Sequence, residues 1–326
     1  MKCLVTKLKE SVANDSLLKL GEFALKFEKS EDGNTAPRKI SITPTADTTL
    51  KIIGDGYFTD SAGKENLGKT VEATGNWSAQ EFYISDADGE IRVSNKYDLL
   101  RLQYENKNFF GDIAFLFGMK KLSFLALQNT GATGDLSAVS QLTNLTGLYM
   151  ANTKIIGDLS AVSQLTNLTG LYITNTGITG NLSALSQLTN LTSVSVQNTG
   201  ITGDLSALSQ MPNLNECQLK EATVGGDISA LSNNLAFLST QGGTTTLSWK
   251  GERAESANII ALEDVRLGDD VDRMLINQAK CKAKFLGDSS WYHRIMASGN
   301  RTSASDNAVQ TLKSKGYTIV VNRETL

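Results

Sequence analysis

Between Leu99 and Leu219 the apolar residues fall into a frame that recurs every 23 positions. Leu122, Leu125 and Leu127 form one set, and Leu145, Leu148 and Met150 form the next. Leu168, Leu171 and Ile173 follow, then Leu191, Val194 and Val196, then Leu214, Cys217 and Leu219. Upstream, Leu99, Leu102 and Tyr104 fit the frame more loosely. The final step of two residues is strand alternation, which sends positions four and six inward and positions three, five and seven outward. Gly111, Gly134, Gly157, Gly180, Gly203 and Gly226 keep the same step. A single globular core has no use for a fixed period, whereas a solenoid must lay each coil on the one before it. Each unit therefore predicts a short strand, a Thr-Gly turn and a convex segment such as 206–210. That segment is short and Ser-rich, which suits 3₁₀ or irregular turns.

The flanks differ. Residues 1–95 lack the step and read as strands, with alternation at Phe23/Leu25/Phe27, Ile40/Ile42 and Leu50/Ile52. Phe82-Tyr83-Ile84 and Ile91-Arg92-Val93 read as a hairpin closed by Asp86-Ala87-Asp88-Gly89. This predicts a small all-β, sandwich-like domain over 1–95, followed by regular repeats over 96–226. Beyond Gly226 the frame returns irregularly, at Leu235/Leu238/Thr240 and again at Leu262/Val265/Leu267. Two helices are expected there. One spans 269–279, with acids at its start. The other follows Ser303-Ala304-Ser305-Asp306, which reads as a capping box, and stops at Gly316. Tyr317–Val321 reads as a closing strand. Residues 227–326 are thus expected to be divergent repeats ending in a cap.

The L-x-x-L-x-L frame, followed by Asn129-Thr130, Asn152-Thr153, Asn175-Thr176 and Asn198-Thr199, resembles the leucine-rich repeat family. Ile201-Thr202-Gly203-Asp204-Leu205-Ser206 resembles the L-x-G-x-I-P segment of plant-type repeats, with Ser in place of Pro. The resemblance implies a β-rich α/β leucine-rich-repeat solenoid with a parallel sheet, preceded by the small all-β domain. Ile53-Gly54-Asp55-Gly56-Tyr57-Phe58-Thr59-Asp60 is similar to N-terminal segments of gut-bacterial and prophage-encoded repeat proteins. The implied function is non-enzymatic binding of a protein or glycan on the concave face. The alternative is a structural component of a phage tail or cell-surface assembly.

Charge and chemistry narrow the choices. The chain has 31 basic and 34 acidic residues, and between Gly134 and Leu214 only Asp135, Lys154, Asp158 and Asp204 are charged. A phosphate-binding surface needs Lys or Arg, so nucleic acid is not expected as a partner. One histidine, His293, removes most triads and metal sets, so neither a catalytic site, a metal nor a cofactor is predicted. Cys3, Cys217 and Cys281 cannot build a disulfide framework, and Cys217 occupies a Leu position. Cys281-Lys282-Ala283-Lys284 lacks the Asp of the bacterial ubiquitin-ligase motif. Asp86-Ala87-Asp88-Gly89-Glu90 opens like a calcium loop, but its twelfth place is Tyr97 instead of Glu. No stretch reaches the ~20 apolar residues of a membrane span. Met1–Lys9 lacks a signal peptide's apolar run, so the reading is cytoplasmic or virion-associated, or surface if a signal was removed. Asn144, Asn167 and Asn190 stand in glycosylation-acceptor triplets that the coils simply repeat, and Asn76-Trp77-Ser78 matches the same pattern outside them.

The outward concave positions remain as the candidate site. Ten residues are expected there: Phe124, Gln128, Tyr149, Asn152, Tyr172, Asn175, Gln197, Asn198, Gln218 and Lys220. Tyr149 and Tyr172 stand over Gly147 and Gly170, a combination able to seat an apolar side chain or a sugar ring. The plainer alternative is that the pair only stabilises the sheet, copied by duplication. Asp112, Asp135, Asp158, Asp204 and Asp227 share one register, interrupted by Asn181. At a strand spacing of ~4.8 Å two such charges repel by roughly 0.9 kcal/mol even in water, so backbone N–H groups or a cation must offset them.

Overall fold

The computed structural model describes residues 23–27, 38–44, 49–54, 57–60, 63–66, 71–74, 80–84, 89–93, 99–105, 109–242, 246–282 and 293–326. Two sheets organise these residues, one of 15 strands and one of 10. In the larger sheet, the strands Phe124–Ala126, Gly147–Tyr149, Gly170–Tyr172, Ser193–Ser195 and Glu216–Gln218 lie parallel, each pairing with the next at a step of 23 residues. Leu99–Glu105 precedes them in the same register, with Arg101 opposite Phe124. Inward alternation buries Leu125, Leu148, Leu171, Val194 and Cys217 completely. Cys217 lies in this core as a free thiol that burial, with Glu216 beside it, pushes up to about 12. It stays neutral and packs as a small apolar side chain.

The expected Thr-Gly turn is in fact a second strand. Gly131–Asp135, Lys154–Asp158, Gly177–Asn181 and Gly200–Asp204 pair in parallel as four neighbouring strands of the smaller sheet. Ile178 is buried between exposed Gly177 and Thr179, which is strand alternation over three residues. One-turn 3₁₀ helices follow at Leu136–Val139, Leu159–Val162, Leu182–Leu185 and Leu205–Leu208. Their two end residues point inward and close the core from the convex side.

Strands N-terminal to the repeats extend both sheets. Arg38–Pro44 pairs antiparallel with Leu99–Glu105, burying Ile40 and Ile42 in the solenoid core. Phe23–Phe27 pairs antiparallel with Phe109–Asp112 in the other sheet. The hairpin expectation is overturned. Gln80–Ile84 pairs with Arg38–Pro44 in the larger sheet, while Gly89–Val93 pairs with Phe23–Phe27 in the smaller. These two consecutive strands lie in different sheets instead of pairing with each other. Residues 85–88, the turn and calcium-loop candidate, lie outside the described residues, as do Asn76 and Tyr97.

Past Gly226 the coils change character. Phe237–Ser239, Ala261–Gly268, Arg294–Gly299 and Thr318–Val321 continue the parallel ladder, and Glu324–Thr325 ends it antiparallel. Leu238 pairs with Leu262, so the frame resumes three residues earlier than the Leu262/Val265/Leu267 reading placed it. A register shift between Leu262 and Val265, with Asp264 at φ 55°, returns Val265 and Leu267 to the core. Helix α1, Val271–Lys280, and helix α2, Asp306–Ser314, replace the 3₁₀ turns. The capping box is not formed. Ser305 Oγ donates to Asp272 Oδ1 of α1 at 2.6 Å, and Thr302 caps the preceding 3₁₀ turn instead. Gly316 stops α2 at φ 87°.

The glycine step has a specific cause. Gly134, Gly157, Gly180, Gly203 and Gly226 all have φ between 110° and 125°. A β-carbon on Gly157 would stand 3.0 Å from the backbone nitrogen of Leu136 and 3.1 Å from the Asp135 carboxylate, one coil earlier. Gly111 has neither constraint. Gly157→Ala should therefore cost about 1–3 kcal/mol of stability in chemical denaturation. Gly111→Ala should stay within about 0.5 kcal/mol. Equal losses at both positions would remove the close approach as the explanation.

Candidate functional site

The frame places the expected aromatic residues on adjacent concave strands, and the structure brings them into one row. Tyr149 and Tyr172 are Cα partners whose rings stack at 4.8 Å with a 9° interplanar angle. Phe124 packs on the other side of Tyr149 at 5.2 Å and 36°. The Arg101 guanidinium lies 4.0 Å over the Phe124 ring, a cation–π contact. Gly147 and Gly170 make this possible. A β-carbon on Gly147 would come within 2.9 Å of both the Tyr149 and Phe124 rings, and one on Gly170 would meet both tyrosines. The rings themselves thus fill the space above the glycines. Arg101 was not among the expected site residues, although extending the frame one coil upstream puts it at position three.

The row continues as a polar network. Tyr172 Oη donates to Ser193 Oγ at 2.6 Å, and the hydroxyls of Thr174 and Ser195 share a hydrogen bond at 2.7 Å. Gln197 donates to Ser195 Oγ at 3.3 Å and to Gln218, which in turn donates to Glu216. Gln197 and Gln218 therefore meet as expected, but their amides are engaged with each other. Gln128 is exposed, and Lys220 stands half-buried at position seven, with no hydrogen bond or ion pair from its side chain to a described residue.

The asparagines at position eight have a scaffold duty. Asn129, Asn152, Asn175 and Asn198 take φ of 50–60°, a left-handed conformation that Asn tolerates better than most residues. Each Nδ2 from Asn152 onward donates to the Oδ1 of the preceding Asn, at 2.7, 2.5 and 2.6 Å. The amides of Asn152, Asn175 and Asn198 thus form an exposed ladder along the edge of the candidate face. The triplet asparagines are committed as well. Asn144, Asn167 and Asn190 donate Nδ2 to Lys120, Thr143 and Thr166 carbonyls of the coil before. A glycan on any of these nitrogens would cost a coil-to-coil bond.

The acidic column is held by backbone N–H groups. Asp112, Asp135, Asp158, Asp204 and Asp227 each accept through Oδ1 from the N–H two residues on, at 2.8–3.0 Å, capping the following 3₁₀ turn. Asn181 does the same at 2.9 Å, so a neutral oxygen suffices for the cap. The Ser137 and Ser160 hydroxyls, then their N–H groups, hold Asp135 and Asp158 below the usual carboxylate range. For Asp204 the Ser206 N–H comes first and its hydroxyl second. Among the described residues no three His, Cys, Asp or Glu side chains gather as a metal-binding group. No helix among them is long and apolar enough to cross a membrane.

Two short parallel strands per coil, an inward L-x-x-L-x-L column on the first of them and a 3₁₀ turn after the second define a leucine-rich-repeat solenoid. No family model matches the chain, and no curated protein matches it. Similar solved structures include the plant peptide hormone receptor RGFR1 in complex with RGF2, at 18% identity over 69% of this chain and 32% of that one, with a TM-score of 0.46. The Arabidopsis receptor kinase HAESA in complex with the peptide hormone IDA and the co-receptor SERK1 is similar at 20% identity over 53% of this chain and 31% of that one, with a TM-score of 0.46. An internalin C2 from Listeria monocytogenes is similar at 32% identity over 41% of this chain and 55% of that one, with a TM-score of 0.34. The chain spans about a third of the receptors it matches and just over half of the internalin.

The capping carboxylates yield a pH prediction. Their folded values lie below the ordinary aspartate value of 3.8. The stability they add is therefore present above that value and lost as pH falls through the folded values. In the triple variant Asp135→Asn/Asp158→Asn/Asp204→Asn the caps persist but the charges do not. Denaturation midpoints of wild type and variant should differ near neutrality and converge on acidification. A gap that stays constant with pH would show that the ionised carboxylates add nothing.

Proposed function

We propose that this chain is a non-enzymatic binding module that grips an extended peptide segment of a protein partner on its concave sheet. The observation that carries the reading is the unbroken row Arg101, Phe124, Tyr149 and Tyr172. Aromatic and Arg side chains dominate interface energetics because they bury large area at small entropic cost. Stacking also bears on what is gripped. Each ring between Arg101 and Tyr172 turns its faces on a neighbour, leaving ring edges and the Tyr149 hydroxyl for the ligand. A sugar ring needs a free aromatic face, whereas apolar side chains and peptide backbone can use edges. The coil step also suits an extended chain crossing the strands, since about three extended residues at ~3.3 Å each span two coils at ~4.8 Å each. Gln128, Gln197, Gln218 and Lys220 border the row as polar contacts, with the asparagine ladder as its margin.

A random-peptide display library selected on the wild-type protein tests this directly. Selected peptides should lose ~2 kcal/mol, about 30-fold in affinity, on Tyr149→Ala or Tyr172→Ala. Thermal melts of both variants should stay close to wild type, whereas Leu148→Ala should lose ~2–5 kcal/mol of stability. Peptides that bind both tyrosine variants unchanged would reduce the row to sheet packing and leave a structural role as the better reading. A glycan-array ligand that depends on Tyr149 would move the assignment from peptide to sugar.

A further inference from the structure

At the C-terminal end of the larger sheet a cavity of about 500 Å³ opens on the outward side. Small-molecule sites typically occupy ~300–1,000 Å³. Its floor is apolar. Met296 and Val320 are Cα partners on adjacent strands, and alternation sets both opposite the core residues Ile295 and Ile319. Arg266 and Ser298, also Cα partners, line it together with Asp264 and Arg323. Both arginines are exposed, and neither side chain makes a hydrogen bond or ion pair with a described residue.

Arg323 occupies a position that its backbone disfavours. Asn322 and Arg323 join Thr318–Val321 to the antiparallel Glu324–Thr325, with φ of 53° and 69°. A two-residue loop with both φ positive prefers Asn-Gly. Asn322 fits, and its side chain bonds Gly299 twice, accepting from N–H at 3.0 Å and donating to C=O at 2.9 Å. Arg323 holds a conformation that residues with a β-carbon rarely adopt, and that strain falls on a residue lining the cavity.

We infer that this cavity is a carboxylate subsite, formed by Arg266 and Arg323 with Ser298 as a third donor. Guanidinium groups match a carboxylate in shape and charge, and the ligand's hydrocarbon lies on Met296 and Val320. Asp264 reduces the formal charge of these groups to one positive, which favours a monocarboxylate over phosphate or dicarboxylates. The carboxylate comes from a free small acid or from a peptide C-terminus. The inference does not depend on the aromatic row.

Isothermal titration of the full chain with hexanoate, hexanamide, N-acetyl-alanyl-leucine and its C-terminal amide tests it. At least one acid should bind about tenfold or more tightly than its amide. Arg266→Gln and Arg323→Gly should each weaken that binding by about tenfold or more. Arg323→Gly should also raise the thermal midpoint, because glycine relieves the strained turn, so the loss cannot come from unfolding. Hexanoate binding supports a small-acid site, and binding by the dipeptide acid alone supports recognition of peptide ends. The inference fails if acids and amides bind alike, if neither acid binds, or if both arginine variants bind as wild type does.

Discussion

Everything in this fold depends on one corner of the coil, the Gly-Asp dipeptide that joins the second strand to the 3₁₀ turn. The aspartate caps its own turn, and the next coil's glycine, at positive φ, presses against that cap where a β-carbon would collide. Each coil thus carries both halves of a lock, and the glycine that meets each aspartate lies 22 residues further on. Apolar burial supplies most of the stabilising free energy, but it tolerates sliding, since one Leu column resembles the next. The corner does not. It fixes the register that puts Leu148 beside Leu171 and, on the other face, Tyr149 beside Tyr172.

That register links architecture to the candidate face. Rings stack at 4.8 Å because the strands beneath them pair residue for residue, and glycines at position three let the rings settle against the sheet. The same register aligns four asparagines into a ladder and gives every capping carboxylate an N–H partner. Near-identity between coils limits how much information the middle of the face can hold. The variation lies at the ends, in Arg101 and Phe124 on one side and in Glu216, Gln218 and Lys220 on the other. Specificity for a partner would have to be read there.

Much of this was legible in the sequence, because a 23-residue period is a strong signal and its inward positions are apolar. The inner strands, the 3₁₀ turns and both helices follow from it or from helix-start chemistry. The second strand was hidden, since Gly-Ile-Thr-Gly-Asp is too short and too glycine-rich to display alternation. The N-terminal strands were visible, but Phe82 and Ile91 gave no sign that they belong to different sheets; alternation reports a buried face, not a partner. The coil at Leu262 was misaligned because a bulge at Asp264 adds residues that the pattern counts as spacing. Ser303-Ala304-Ser305-Asp306 looked like a capping box, but Ser305 bonds Asp272, 33 residues away in sequence, a contact that local reading cannot see. For the site, the frame located Phe124, Tyr149 and Tyr172, but it could not distinguish amides facing a ligand from amides bonded to one another.

The central claim is that coil-to-coil register, set at the Gly-Asp corner, is what makes this chain fold as a unit. Removing residues 157–179 deletes 23 residues and lets Gly180 take the place of Gly157 against the Asp135 cap. Removing 157–178 deletes one residue fewer and shifts every later glycine, aspartate and leucine off its mate. Urea unfolding followed by circular dichroism compares the two directly. The account predicts a single cooperative transition for the 23-residue deletion, and a lost or broadened transition for the other. Equal cooperativity in both proteins would contradict it.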